Sequence, residues 1–170
     1  KCAAISDSRI GAGSPSAIPS ILDGLSKWQK VELQVSVETP EVRESRPLQF
    51  DPQALCGGAL PELPRPSFLA IISSSVVAKK LLQKAEGNVD GFVVENHTAG
   101  GHNAPPRGAS STPAGDLPSY GPKDIPDLRT IAALKRPYWL AGGYGSPAQL
   151  KGALALGAAG IQVGTAFAYC

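Results

Sequence analysis

The sequence predicts an α/β fold built on a parallel sheet, and three observations carry that reading. The runs "SFLAIISS" (67–74), "VDGFVVE" (89–95), "YWLAGG" (138–143) and "AGIQVGTA" (159–166) are apolar with little alternation, the form of strands covered on both faces. Between and after them, "VVAKKLLQKA" (76–85), "IPDLRTIAAL" (125–134) and "PAQLKGALAL" (147–156) have the apolar spacing of helices. Strands that alternate with helices pair in parallel through crossover connections. The third observation is an internal echo: G-x-G-S-P stands between strand and helix at Gly11–Pro15 and again at Gly143–Pro147.

Taken in order, "AAISDSRI" (3–10) reads as a short strand running into "GAGSP", and "AIPSILDGL" (17–25) as a short helix. "VELQVSVE" (31–38) alternates apolar and polar residues, as a half-exposed strand does. Residues 39–66 are proline-rich, charged and aperiodic, and an irregular excursion is expected there. Three strand–helix units follow, and "AGIQVGTA" closes the series with no helical pattern after it. In the last unit Ser146 is placed to cap the helix, Pro147 suits its first turn, and Gly157 suits its left-handed end. About five strands of this kind are visible. Units of this size fit an open doubly wound sheet or a (β/α)8 barrel, which needs eight strands and usually about 200 or more residues.

Length and charge narrow the function classes. A chain of 170 residues has the size of one domain with a full core. Its 16 basic and 14 acidic residues leave a formal charge of +2, too near balance for an electrostatic footprint on nucleic acid or an anionic membrane. No apolar run approaches a membrane span and no secretory signal opens the chain, so a cytoplasmic protein with small-molecule or protein partners is expected. Cys2, Cys56 and Cys170 form no CxxC and have no histidine at zinc spacing; neither a disulfide framework nor a structural metal is indicated. The chain begins with Lys1 and contains no methionine, which points to a piece of a longer protein.

Three strand ends could carry chemistry. Gly142-Gly143 follows "YWLA" and Gly164-Thr165 follows "IQV". Amides stripped of side chains, with a helix N-terminus after the first pair, attract a phosphate, although such glycines also serve simply to allow tight turns. The third end is "ENHTAGGHNAPPRG" (95–108), which holds both histidines. Gly100-Gly101 would let a planar ligand approach the backbone, and His102 would project over the sheet mouth as a group that titrates near neutral pH. His97 reads as a surface loop histidine. Glu95 is either a buried partner or a site residue, and Ser73–Ser75 read first as helix caps. The two histidines have no third ligand near them, so no metal site is expected.

These motifs resemble a known family. "VDGFVVENHTAGGHNAPPRG" followed by "PYWLAGGYGSPAQLKGALALGAAGIQVGTAFAYC" is similar to the FMN-dependent nitronate monooxygenases, once called 2-nitropropane dioxygenases, and to the related FMN-dependent enoyl-acyl-carrier-protein reductases. The similarity runs from about Pro66 to Cys170, with "GAGSPSAIPSILDGL" looking like an upstream piece. It implies an α/β (β/α)8 barrel of TIM type, incomplete here with about five of eight strands, in one domain over residues 1–170. It implies FMN as cofactor, His102 as the active-site histidine beside the flavin ring, Gly101 near the flavin, and Gly142, Gly143, Gly164 and Thr165 around the FMN phosphate. The implied partners are dioxygen and a small substrate, an alkyl nitronate or an enoyl thioester. As a C-terminal part of a barrel the chain would also expose sheet edges that invite association.

Two enzymatic readings and one of another class follow. Nitronate oxidation predicts oxygen uptake with an alkyl nitronate; the reductase branch predicts NADH oxidation that depends on an enoyl thioester. A non-catalytic phosphate-ligand module, or an inactive remnant, predicts that His102→Ala changes nothing.

Overall fold

The computed structural model describes residues 2–6, 15–38, 43–57, 61–100, 106–107 and 119–168. Five parallel strands, β1 (Cys2–Ser6), β4 (Ser67–Ile72), β5 (Gly91–Glu95), β6 (Tyr138–Ala141) and β7 (Gly160–Gln162), form one sheet in the order β1-β4-β5-β6-β7. A separate antiparallel pair, β2 (Val31–Glu38) and β3 (Arg43–Phe50), sets Leu33 opposite Leu48. The helices are α1 (Ile18–Ser26), α2 (Pro52–Cys56), α3 (Ser75–Lys84), α4 (Leu128–Ala132), α5 (Pro147–Ala155) and α6 (Thr165–Ala168). None of them is long and apolar enough to cross a membrane.

The strand order decides between the two architectures left open by the sequence. A doubly wound sheet reverses its direction of growth at a switch point, whereas a barrel adds each new strand beside the last. Here β4, β5, β6 and β7 are added in sequence without reversal. Helix placement agrees. On one sheet face Phe68, Ala70, Ile72, Phe92, Val94, Tyr138 and Leu140 share a core with Ile18 of α1, Ala78 and Leu81 of α3, Ile131 of α4 and Ala153 of α5. Among the described residues the other face holds a small cluster of Leu69, Val93 and Ala141, with Ile71 and Trp139 beside it. Helices on one face and a narrow side-chain layer on the other are the outside and inside of a (β/α)8-type wall, with five strands among the described residues.

The inner layer depends on two glycines. Trp139 lies across the sheet where a Cβ on Gly160 would come within 2.9 Å of its ring, and one on Gly91 within 3.2 Å. A Cβ on Gly91 would also stand 2.7 Å from the Pro137 carbonyl oxygen and 2.8 Å from Leu69 Cδ2. The backbone oxygen cannot step aside, so Gly91→Ala is expected to lower stability by about 2 kcal/mol, read by urea unfolding; an unchanged midpoint would contradict this packing.

Local signals behave as their chemistry dictates. Ser74 accepts from the Val77 amide and Ser146 from the Gln149 amide, both at 3.3 Å, so the two serines cap α3 and α5. Asp127 caps α4 through the Thr130 amide and starts that helix later than the apolar pattern implied. Gly157 follows α5 at φ +84°. Two expectations are corrected. Residues 39–66 are not irregular throughout, because 43–50 pair with β2 as a strand and 52–56 form a helix capped by Asp51. The last strand is also shorter than the 159–166 run read for it, spanning Gly160–Gln162 before Thr165–Ala168 wind one helical turn.

At the N-terminal end of the sheet Arg65 ties three elements together. Its guanidinium pairs with Asp23 of α1 and with Asp90 at 2.6 Å, and it donates to the Asn88 carbonyl at 2.8 Å. Asp90 in turn accepts from the Phe68 amide at 2.7 Å and from Asn88 Nδ2 at 2.6 Å.

Candidate functional site

The opposite, C-terminal end of the sheet carries the sequence motifs. Parallel strands all end on the same side, so the loops after β5, β6 and β7 emerge together around one mouth. Glu95, Ala141 and Gln162 stand in register on three neighbouring strands, and above them opens a cleft of about 770 Å³. That lies within the roughly 300–1,000 Å³ of small-molecule sites.

Gly142, Gly143, Gly164 and Thr165 all line this cleft, so the structure brings the two glycine-bearing strand ends together. Gly142 and Gly143 hold φ of +95° and +81°, which side-chain-bearing residues rarely adopt. Gly101 and His102 lie outside the described residues. The chain just before them does reach the site: Thr98, Ala99 and Gly100 line the cleft.

The loop after β5 is fastened to its neighbours. The Asn96 amide donates to the Ala141 carbonyl at 3.0 Å, continuing the strand ladder by one step, and the Ala99 amide donates to the Asn96 carbonyl at 3.0 Å. The Thr98 hydroxyl donates to the Gly142 carbonyl at 3.0 Å. A Cβ on Gly142 would sit 3.0 Å from both the Asn96 oxygen and the Ala99 nitrogen, and one on Gly100 would overlap the Thr165 hydroxyl. Glycine at 100 and 142 is therefore demanded by contact between strand ends, not by turn geometry alone.

His97 is corrected from a surface histidine to a half-buried one, its ring stacked on Tyr120 with centroids 4.9 Å apart and planes at 17°. Beyond it the buried Asp124 accepts from the Gly121 amide at 2.8 Å and from the Arg107 amide at 2.7 Å. The Gly121 bond first, then the Arg107 bond, holds its carboxyl below the usual carboxylate range. The Arg107 guanidinium donates to the carbonyls of Ser73, at the end of β4, and Lys123.

Electrostatically the cleft is plain. Among the described lining residues Glu95, half-buried at the end of β5, carries the only formal charge, and no lysine or arginine is present. An anion there would depend on amides, hydroxyls and the positive end of the nine-residue α5. Pro147 has no amide hydrogen and the Gln149 amide is engaged by Ser146, so the first turn of α5 has fewer amides to offer than most helix ends. Thr98 and Gln162 were not singled out in the sequence, whereas Gly100 was. For Gln162 a signal existed: Ile161 packs on the helix side, so strand alternation turns its neighbour inward.

The family model for nitronate monooxygenase matches residues 62–170, more than half of the chain, and spans all three strand ends. The chain belongs to the nitronate monooxygenase family. No curated protein and no solved structure matches it significantly. The nitronate monooxygenase fold is the TIM barrel, in keeping with the unreversed strand order. Membership makes the protein one of a family of oxidoreductases that are generally flavin-dependent and act on small molecules with oxygen.

Proposed function

We propose that this protein is an FMN-dependent oxidoreductase that oxidises alkyl nitronates, and nitroalkanes after removal of their α-proton, with dioxygen. The convergence of Gly142, Gly143, Gly164 and Thr165 on one cleft, within the residues matched by the family model, supports this reading.

The cleft fits the cofactor. Its volume suits a mononucleotide, the two positive-φ glycines leave backbone at the wall, α5 directs its N-terminus there, and Thr165 offers a hydroxyl. In this reading Gly142, Gly143, Gly164 and Thr165 hold the FMN phosphate, and Gly101 leaves room for the flavin ring. When bound, FMN supplies the electron exchange between substrate and dioxygen. His102 takes the α-proton of a nitroalkane, a task for an imidazole that can be neutral at working pH. It stands two residues beyond Gly100, a stretch that reaches at most about 7 Å.

Two measurements test the proposal. The protein is expected to bind FMN stoichiometrically and to consume oxygen when given an alkyl nitronate. Absence of FMN uptake would remove the reading, and NADH oxidation that requires an enoyl thioester, without nitronate turnover, would replace it with the reductase. Gly142→Ala is expected to weaken FMN binding about tenfold or more, since the new methyl meets backbone atoms and left-handed backbone costs an alanine about 1–2 kcal/mol; a fluorescence titration matching wild type would contradict the assignment.

A further inference from the structure

We infer that Thr98 is a positioning residue for the phosphate end of the cofactor, acting by fixing the direction of the Gly142–Gly143 peptide. The inference rests on the reading that Gly142 and Gly143 hold the FMN phosphate.

Two adjacent glycines make this peptide free to rotate, because no Cβ on either side restricts it. Rotation matters, since a peptide unit offers a donor at one end and an acceptor at the other. The Thr98 hydroxyl grips the acceptor, the Gly142 carbonyl, at 3.0 Å. In a planar trans peptide the N–H of the next residue points opposite to that carbonyl. No described peptide is cis. With the carbonyl turned to the β5 loop, the Gly143 amide is therefore turned away from that loop, and Gly143 lines the cleft. A flipped peptide would instead present a carbonyl oxygen to an anion and repel it.

Thr98 is itself held in place. The Asn96–Ala141 and Asn96–Ala99 bonds close the short turn that carries it. The latch also matters because no lysine or arginine among the described lining residues can substitute for a misdirected amide.

The test compares FMN with riboflavin, which has the same ring without the phosphate, by quenching of flavin fluorescence. Thr98→Val keeps the branched shape and removes the hydroxyl; it is expected to weaken FMN about tenfold and to leave riboflavin within about twofold. Thr98→Ser keeps the hydroxyl and is expected to restore FMN to within about twofold of wild type. Wild-type FMN affinity in Thr98→Val, equal losses for both flavins, or a serine variant as weak as valine would each overturn the inference alone. A wild-type protein that binds neither flavin would overturn the FMN reading and this inference with it.

Discussion

His102→Ala is expected to lower turnover of a neutral nitroalkane by about 10²- to 10⁴-fold, the usual contribution of a general base. Turnover of the corresponding preformed nitronate should change by no more than about threefold, because that anion has already lost the α-proton. The two substrate forms thus isolate the proton-transfer step, and oxygen consumption measured with each at saturating concentration reads it directly. Equal losses on both would assign the imidazole to holding the anion, and no loss on either would favour a binding module without this chemistry. The prediction depends on the fastening of the preceding loop, whose Gly100 packs against Thr165 at the β7 end of the cleft.

Asp90→Ala acts at the other end of the sheet and is expected to cost about 3 kcal/mol of stability. It removes the acceptor of the buried Phe68 amide and leaves Arg65 with one carboxylate fewer. Unlike most surface pairs, both side chains are largely shielded, with 21% and 24% of their surface exposed. Burial alone would raise the Asp90 carboxyl. The bonds from the Phe68 amide, Arg65 and Asn88 outweigh it and hold the group below its ordinary range. A carboxyl depressed in the folded state contributes stability that is complete above its unfolded pKa of about 3.9 and is lost as pH falls through the folded value. Wild type should therefore lose stability more steeply below about pH 4 than Asp90→Asn, which has no such proton to gain. Parallel acid limbs in urea unfolding would contradict the linkage. Because Asp90 lies at the end opposite the cleft, FMN affinity at neutral pH should be little changed wherever the variant stays folded.

How far the fold could be read from the sequence differs by element. β4, β5 and β6 were legible because each is a continuous apolar run, a feature local to its own residues. The caps Ser74 and Ser146 were equally local, a side chain meeting an amide three residues on; Asp127 was passed over because the apolar spacing began the helix at Ile125. β3 was not legible: "RESRPLQF" carries charges and a central proline, and it becomes a strand only by pairing with β2, residue by residue from Arg43 to Phe50. His97 was misread for a similar reason, since its stacking partner Tyr120 is 23 positions away and no pattern in the loop announces it.

Within the candidate site, the glycines after β6 and β7 stood out in the sequence as strand ends stripped of side chains. The contacts that make glycine necessary did not. Gly142 against Asn96, Gly100 against Thr165 and Thr98 on the Gly142 carbonyl each join loops about 40 to 65 residues apart. Their closeness follows from the parallel register of β5, β6 and β7.

By itself the sequence determined the alternation of strands and helices, the caps that bound several of them, and the family motifs. All of these depend on neighbours along the chain or on composition. Only the tertiary structure decided that the strands are added without reversal, that the helices share one face, and that two glycine-bearing ends meet in a single cleft. Those features depend on which strand lies beside which, a choice made by long-range packing that no local run of residues encodes.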